Sequence, residues 1–434
     1  MAMTGDQGVV RSLHDAGPVR EAREEGAAAR SQPLIDSKLE ARVESAVQRF
    51  VGWLDEYGET SYDFQTFYAG PFGKFAKGLY YKSRGLGTCA VAPIIFCEAF
   101  APAARRLFYI RQRFPIADAH YAMGFARLFQ RTGDARYLDR AVQFLEVLLS
   151  TACQAKSGLG WGYPFDWVTI DGILPTQTPL ITTLPYVYEA FAAVHEIDRQ
   201  PRWLETKRLI AEHAAHDFRD IETGNGAATC TYTPLANDHG RVVNASAYRS
   251  FLLTKASYDL NDAKYRVAAE PNLRFVLASQ NADGSWPYAV DGRRSFVDHF
   301  HTCFVLKALV KIDQLTGGST CEHAVESGLR YYVDQLFDAD GIPRPFARAP
   351  RLIVYKRELY DYAEGINLAT LAFGRSPAVA DRLRTTVEDV LGRWQREDGS
   401  FRSRQLMLGW DDVPMHRWAQ AQLFRSLCGL LVRR

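Results

Sequence analysis

The feature that most limits what this chain can fold into is a repeat. After Pro115, five strongly apolar stretches are each followed by a short polar turn and an amphipathic stretch. The apolar stretches open near Asp118, Thr182, Asn244, Asp298 and Glu358. The turns are Thr132-Gly133-Asp134, Asp198-Arg199-Gln200, Asn261-Asp262, Thr316-Gly317-Gly318 and Gly374-Arg375-Ser376. Turn follows turn at roughly 55–66 residues, longer than most solenoid repeats and enough for a loop at one end of each helix pair. The amphipathic partners carry one apolar face, as in Val379, Leu383, Val387 and Val390. A helix that is apolar all round must be covered on nearly every side. A sixth apolar stretch, 415–431, has no partner after it. The helical pattern at 34–57, with Leu39, Val43, Ala46, Phe50, Trp53 and Leu54, has none before it. Pairing these two closes a ring of six inner and six outer helices. The expectation is an all-α (α/α)6 toroid, one domain over 34–434, with Pro271 kinking the third outer helix or marking its start.

Two segments stand outside the repeat. Residues 1–33 have almost no large apolar side chain and read as a solvated, disordered tail. Residues 68–116 read as an insertion. Between Pro71 and Phe114 lie eight basic residues and a single acid, Glu98, interleaved with Phe, Leu, Ile and Tyr. That composition suits an interface helix on an anionic inner-membrane surface. The more ordinary reading is an insertion packed on the toroid with its charges in water.

Composition narrows the partners. A net charge of +2 gives no dedicated nucleic-acid surface. Seven irregularly spaced cysteines form no disulfide framework or zinc pair, which fits a reducing cytoplasm. There is no secretory h-region and no apolar run long enough to span a bilayer. No Gly-rich phosphate loop is present, so no nucleotide cofactor is expected. His299, His301 and Cys303 are metal-ligand types. Alternate residues of a helix face apart, however, and no metal is expected.

All six loops that lead into inner helices fall on one face of the ring. The outer helices run into Asp283-Gly284-Ser285-Trp286, Asp340-Gly341 and Asp398-Gly399-Ser400, where Gly supplies the left-handed residue that ends a helix. The loops carry Trp161, Tyr163, Asp166, Trp167, Trp286, Tyr288 and Trp410, whose flat faces suit sugar rings. The helix starts add Tyr186, Tyr248, Arg249, Glu358, Tyr360, Asp361, His416 and Arg417 as substrate-binding candidates. Six helix N-termini aimed at one mouth favour anionic groups. Asp118, Asp298 and Asp412 are also natural N-caps. The acid–base candidates are Asp298 with His301 and Asp118 with His120, since a carboxylate fixes an imidazole's tautomer. Asp411, Asp412 or Asp166 would be the opposing carboxylate of a glycosidase. Arg249, Arg351 and Arg417 would hold an acidic sugar.

Gln280–Trp286 resembles the QW repeat of squalene and hopene cyclases, which are α/α toroids, but their Asp-x-Asp-Asp motif is absent. FPIADAHYAMGFA (114–126), WGYPFDWVT (161–169), SWPYAVDG (285–292), VDHFHTCFVLKAL (297–309) and GWDDVPMHRWAQ (409–420) resemble bacterial toroid proteins encoded with exopolysaccharide-biosynthesis genes. The resemblance spans about Phe64 to Leu430. It implies a toroid acting in a polysaccharide context and assigns no residue a role. The expectation is a carbohydrate-active enzyme, first a glycoside hydrolase, with a uronate epimerase or lyase and a non-catalytic glycan-binding subunit as alternatives. Its partner would be a polysaccharide or lipid-linked oligosaccharide. Its expected location is the cytoplasm, peripheral to the inner membrane.

Overall fold

The computed structural model describes residues 34–350 and 353–432. The tail expected at 1–33 and Arg351 lie outside those residues. Twelve helices alternate between an outer and an inner ring. The first outer helix, α1 (Ser37–Tyr57), starts on Asp36, whose carboxylate accepts the Leu39 amide. Its apolar stripe buries Leu39, Val43, Phe50 and Trp53. The insertion follows, with α2 (Pro71–Lys82) and α3 (Arg84–Phe100) as its main helices. Then come five inner–outer pairs. They are α4 (Pro115–Thr132) with α5 (Ala135–Ser150), α6 (Leu184–Ile197) with α7 (Pro201–His216), and α8 (Val243–Asp259) with α9 (Ala263–Ala278). The last two are α10 (His299–Thr316) with α11 (Glu322–Gln335) and α12 (Leu359–Leu371) with α13 (Pro377–Asp389). The final inner helix, α14 (Ala421–Leu431), packs on α4, α12 and α1 and so closes both rings. The repeat read from the sequence is the observed architecture.

The helix ends follow local chemistry. Gly284, Gly341 and Gly399 take φ of +90°, +75° and +93°, as the Asp-Gly turns require. A Cβ on Gly399 would also sit 2.3 Å from the Arg49 carbonyl. Each of two such turns is clamped by a glutamine. Gln280 donates to the carbonyls of Gly284 and Ala324, and Gln395 to those of Gly399 and Ala46. Each clamp therefore ties one outer helix to the next, the second across the ring's closing seam. The indoles of Trp161 and Trp286 are buried and donate to Leu148 O and Val276 O. They lock loops to outer helices and are not substrate platforms.

Helix α9 begins at Ala263 and continues through Pro271, so the proline marks no start. The carbonyl that loses its partner belongs to Val267, an exposed residue.

The insertion packs on the mouth side of the toroid through ion pairs. Lys74 meets Asp166 at 2.8 Å, Arg105 meets Asp411 at 2.7 Å, and Glu98 meets Arg404 at 2.7 Å. No helix among the described residues is long and apolar enough to cross a membrane.

Candidate active site

The loops between outer and inner helices form short ladders around the mouth. One is a three-stranded sheet in which the central strand, Arg404–Leu406, pairs with Tyr355–Glu358 on one side and Trp410–Asp411 on the other. Arg404 thus stands opposite both Glu358 and Asp411. Its guanidinium bonds Glu358 and Glu98. Glu358 is buried. Burial raises its pKa, Arg404 opposes that, and the Trp418 indole adds a smaller lowering.

Asp298 does two jobs. As N-cap of α10 it accepts the His301 amide at 2.9 Å on Oδ1, and its Oδ2 lies 2.6 Å from His301 Nδ1. In the neutral imidazole a carboxylate at that distance requires the proton on Nδ1 and leaves the lone pair on Nε2. Nε2 has no hydrogen bond to any described residue, and the His301 side chain is 21% exposed. Capping therefore explains one oxygen of Asp298 and imidazole orientation explains the other.

Aromatic rings surround the dyad. The Tyr288 ring meets His301 edge-on at 4.6 Å, and Phe304 lies 5.5 Å away. Phe304 also contacts Tyr248 and Tyr360, while Trp418 stacks on Tyr360 at 4.5 Å. Beyond Tyr288 opens a small recess of about 60 Å³. Trp167, Tyr232, Tyr288, Asn237, Asp238 and Arg294 line it. Of these, Trp167 and Tyr288 are among the loop aromatics expected from the sequence, whereas no sequence signal marks Tyr232, Asn237, Asp238 or Arg294.

Asp361 lies behind the dyad. It is buried, and neither carboxyl oxygen has a hydrogen-bond partner. Burial, then the charges of Glu358 and Asp298, push its pKa well above the ordinary carboxylate range.

Several expected site residues are elsewhere or already occupied. Asp118 and His120 do not pair. Asp118 is held by Arg113 at 3.0 Å, whereas His120 points to the toroid axis beside Tyr186. Two positions apart on a helix, they face different ways. Burial raises Asp118 to about 7 against the pull of Arg113. Burial and the neighbouring Arg425 hold His120 well below its usual pKa. The axis around it carries Lys307 with Glu364, Lys311 with Glu189, and Arg425. The Tyr186 and Tyr248 hydroxyls bond each other above this layer.

Asp411 is fully buried against Arg105, and Asp412 is a rim partner of Arg402. Neither is an unpaired carboxylate across the mouth, and Asp166 is committed to Lys74. Arg249 points away from the mouth and binds Ala214 O, Ala215 O, Asp220 and Asn272, joining α8 to α7 and α9. Arg417 makes two bonds to Asp63 and one to the Tyr163 hydroxyl. His416 is buried between the Tyr121 hydroxyl at 2.6 Å and the Gly58 carbonyl at 2.9 Å. It is a seam residue, and burial lowers its pKa to about 3. Trp410 is a rim residue packed on Trp394.

Nothing local in the sequence marks Trp418 as a mouth residue. Its backbone is non-helical, and Ala419 beside it has φ of +144°. A positive φ on a residue with a Cβ is strained, and here it turns the indole onto Tyr360.

No protein-family model and no curated protein matches this chain by sequence. Its shape does have matches. The chain is similar to the cellobiose 2-epimerase of Bacillus thermoamylovorans B4167, with a TM-score of 0.58 at 10% identity over 73% of this chain and 87% of that one. A GH76 α-mannanase of Bacteroides thetaiotaomicron gives 0.56 at 10% identity, over 73% and 86%. A polysaccharide lyase gives 0.51 at 11% identity, over 79% and 97%. The protein is an all-α toroid with the fold of these three enzymes.

Proposed function

We propose that this protein is a carbohydrate-active enzyme whose chemistry is proton transfer at a sugar carbon, in an epimerase, isomerase or lyase reaction. The observation that carries the reading is the Asp298–His301 dyad, with Nε2 unpaired at an aromatic mouth. A base so oriented can take a proton made acidic by a neighbouring carbonyl or carboxylate. Return of a proton from the same side restores the sugar, and return from the other side epimerises it. Loss of a β-substituent after abstraction gives an unsaturated end. Tyr360, whose ring shares Phe304 with His301, is the candidate second acid.

The glycoside-hydrolase reading is weaker because the expected opposing carboxylates, Asp411, Asp412 and Asp166, are each held by a cation. The likeness of five segments to exopolysaccharide-cluster toroids supports a bacterial polysaccharide, or its lipid-linked precursor, as substrate at the cytoplasmic face of the inner membrane.

The test is incubation with a panel of oligosaccharides and polysaccharides in deuterated water, read by NMR and mass spectrometry. Deuterium at a ring carbon or unsaturated ends supports the proposal. New reducing ends with no carbon-bound deuterium would return the hydrolase. An unchanged panel, with tight binding to one member, would leave a glycan-binding subunit.

A further inference from the structure

The insertion leaves an apolar face uncovered. Of the thirteen large apolar side chains that are exposed among the described residues, eight lie between positions 72 and 110. Helix α3 shows how they are arranged. Leu86, Cys89, Pro93, Phe96 and Phe100 follow one another at intervals of three and four, and all five are exposed. They make one stripe along a helix about 25 Å long. The only acid of α3, Glu98, is buried on the opposite side against Arg404. Leu107 and Ile110, 81% and 70% exposed, continue the patch beyond the helix. Exposed patches of this kind on a folded protein mark a surface that is covered in use.

The charge around the patch selects its cover. Of the eight cations between 71 and 114, Lys74, Arg105 and Arg113 are spent on toroid carboxylates, Arg111 on the carbonyls of Tyr57 and Thr60, and Lys77 bonds the Gln65 side chain. Lys82, Arg84 and Arg106 are exposed and pair with no carboxylate of the described residues. Each is next to or within two residues of an exposed apolar side chain: Tyr81, Leu86 and Leu107. A second copy docked on the same face would bring two such cation sets together, a like-charge contact that opposes pairing. An anionic bilayer complements both properties at once: the stripe enters the acyl boundary and the cations reach the headgroups.

We infer that the exposed face of residues 72–110 is an interfacial anchor that lays this protein on an anionic lipid surface. The insertion is ion-paired to the mouth through Asp166, Asp411 and Arg404, so anchoring holds the mouth near the membrane. The inference stands on the exposed face and not on the reading of the mouth.

The test is flotation of the full chain with vesicles of phosphatidylcholine, alone or mixed with phosphatidylglycerol, at low and high salt, alongside light scattering of the free protein. Binding to the mixed vesicles should exceed binding to the neutral ones on the order of a hundredfold, as expected for three cations at an anionic surface, and should weaken with salt. Leu86→Ser with Phe96→Ser should abolish flotation without changing the circular dichroism spectrum or melting curve. Lys82→Glu with Arg84→Glu should cut it on the order of tenfold or more. Equal flotation of the wild type with both vesicles would overturn the role given to the cations. Absence of flotation would overturn the inference outright. If the free protein were then a dimer that Leu86→Ser with Phe96→Ser dissociates, the face would be a contact between copies.

Discussion

The substitution Asp298→Asn separates the two jobs of Asp298. Asparagine caps helices as well as aspartate, so the bond from the His301 amide survives. The second oxygen is replaced by an amide NH2 facing His301 Nδ1, 2.6 Å away in the native structure. Two donors cannot share that contact, so Nδ1 becomes the acceptor and the proton moves to Nε2. The loss of one partly exposed charge-assisted bond costs stability about 1 kcal/mol. If His301 is the base, turnover falls by about two to four orders of magnitude, the usual worth of a general base in the right tautomer. By contrast, Asp298→Ala removes the cap and strands the imidazole, for a loss of about 2–4 kcal/mol. The assay has three readouts: denaturant unfolding, deuterium incorporation into the sugar, and nitrogen-15 NMR of the His301 ring, which reports the tautomer without substrate. An Nε2–H tautomer in the wild type would refute the reasoning. So would an Asp298→Asn protein that moves to the Nε2–H tautomer and still turns over at the native rate.

Other perturbations read the framework. Asp411→Asn leaves Arg105 buried without its counter-charge and should cost about 3–5 kcal/mol in denaturant unfolding, whereas Arg105→Met with Asp411→Leu should recover most of that loss. The folded pKa of Asp118 is raised to about 7 from an ordinary 3.8, so the folded state holds more protons than the unfolded one between those values. The associated stability is present below about pH 4 and lost as pH rises toward 7. Asp118→Asn should therefore flatten that part of the stability–pH curve. Gly399→Ala meets both a positive φ and a carbonyl 2.3 Å away and should lower the melting temperature by several degrees, about 2–3 kcal/mol. Gly292→Ala, with φ of +72° and open space around it, should cost only about 1 kcal/mol.

The ring was legible because its cause is periodic. Apolar stretches covered on all sides and partners with one stripe recur at a fixed spacing, and the Asp-Gly turns mark where each pair ends. The dyad was legible for a related reason, since Asp298 and His301 are three positions apart at a helix start. Long-range pairing was not. Nothing local to Asp411 points to Arg105, and nothing local to Arg417 points to Asp63. Tryptophan was misleading because it serves two purposes in this fold. Trp161 and Trp286 look like sugar platforms in sequence, yet each gives its N–H to an outer-helix carbonyl. Tyr232 and Arg294 reach the recess only through loop paths that no spacing encodes. Trp418 depends on a strained backbone at Ala419, where helical periodicity gives the wrong direction for the side chain.

The seam sets a schedule for the polypeptide. Its bonds join residues far apart in the chain: Tyr121 to His416 across 295 positions, Gln395 to Ala46 across 349, and His416 to Gly58 across 358. Helix α14 is the last of the twelve to leave the ribosome. Until then the growing protein is an open arc, with the faces of α1 and α4 that α14 will cover still in water. Helix pairs can form as they emerge, from local contacts. The seam must wait for α14, so the arc is the species most open to a chaperone, a protease or another unfinished chain.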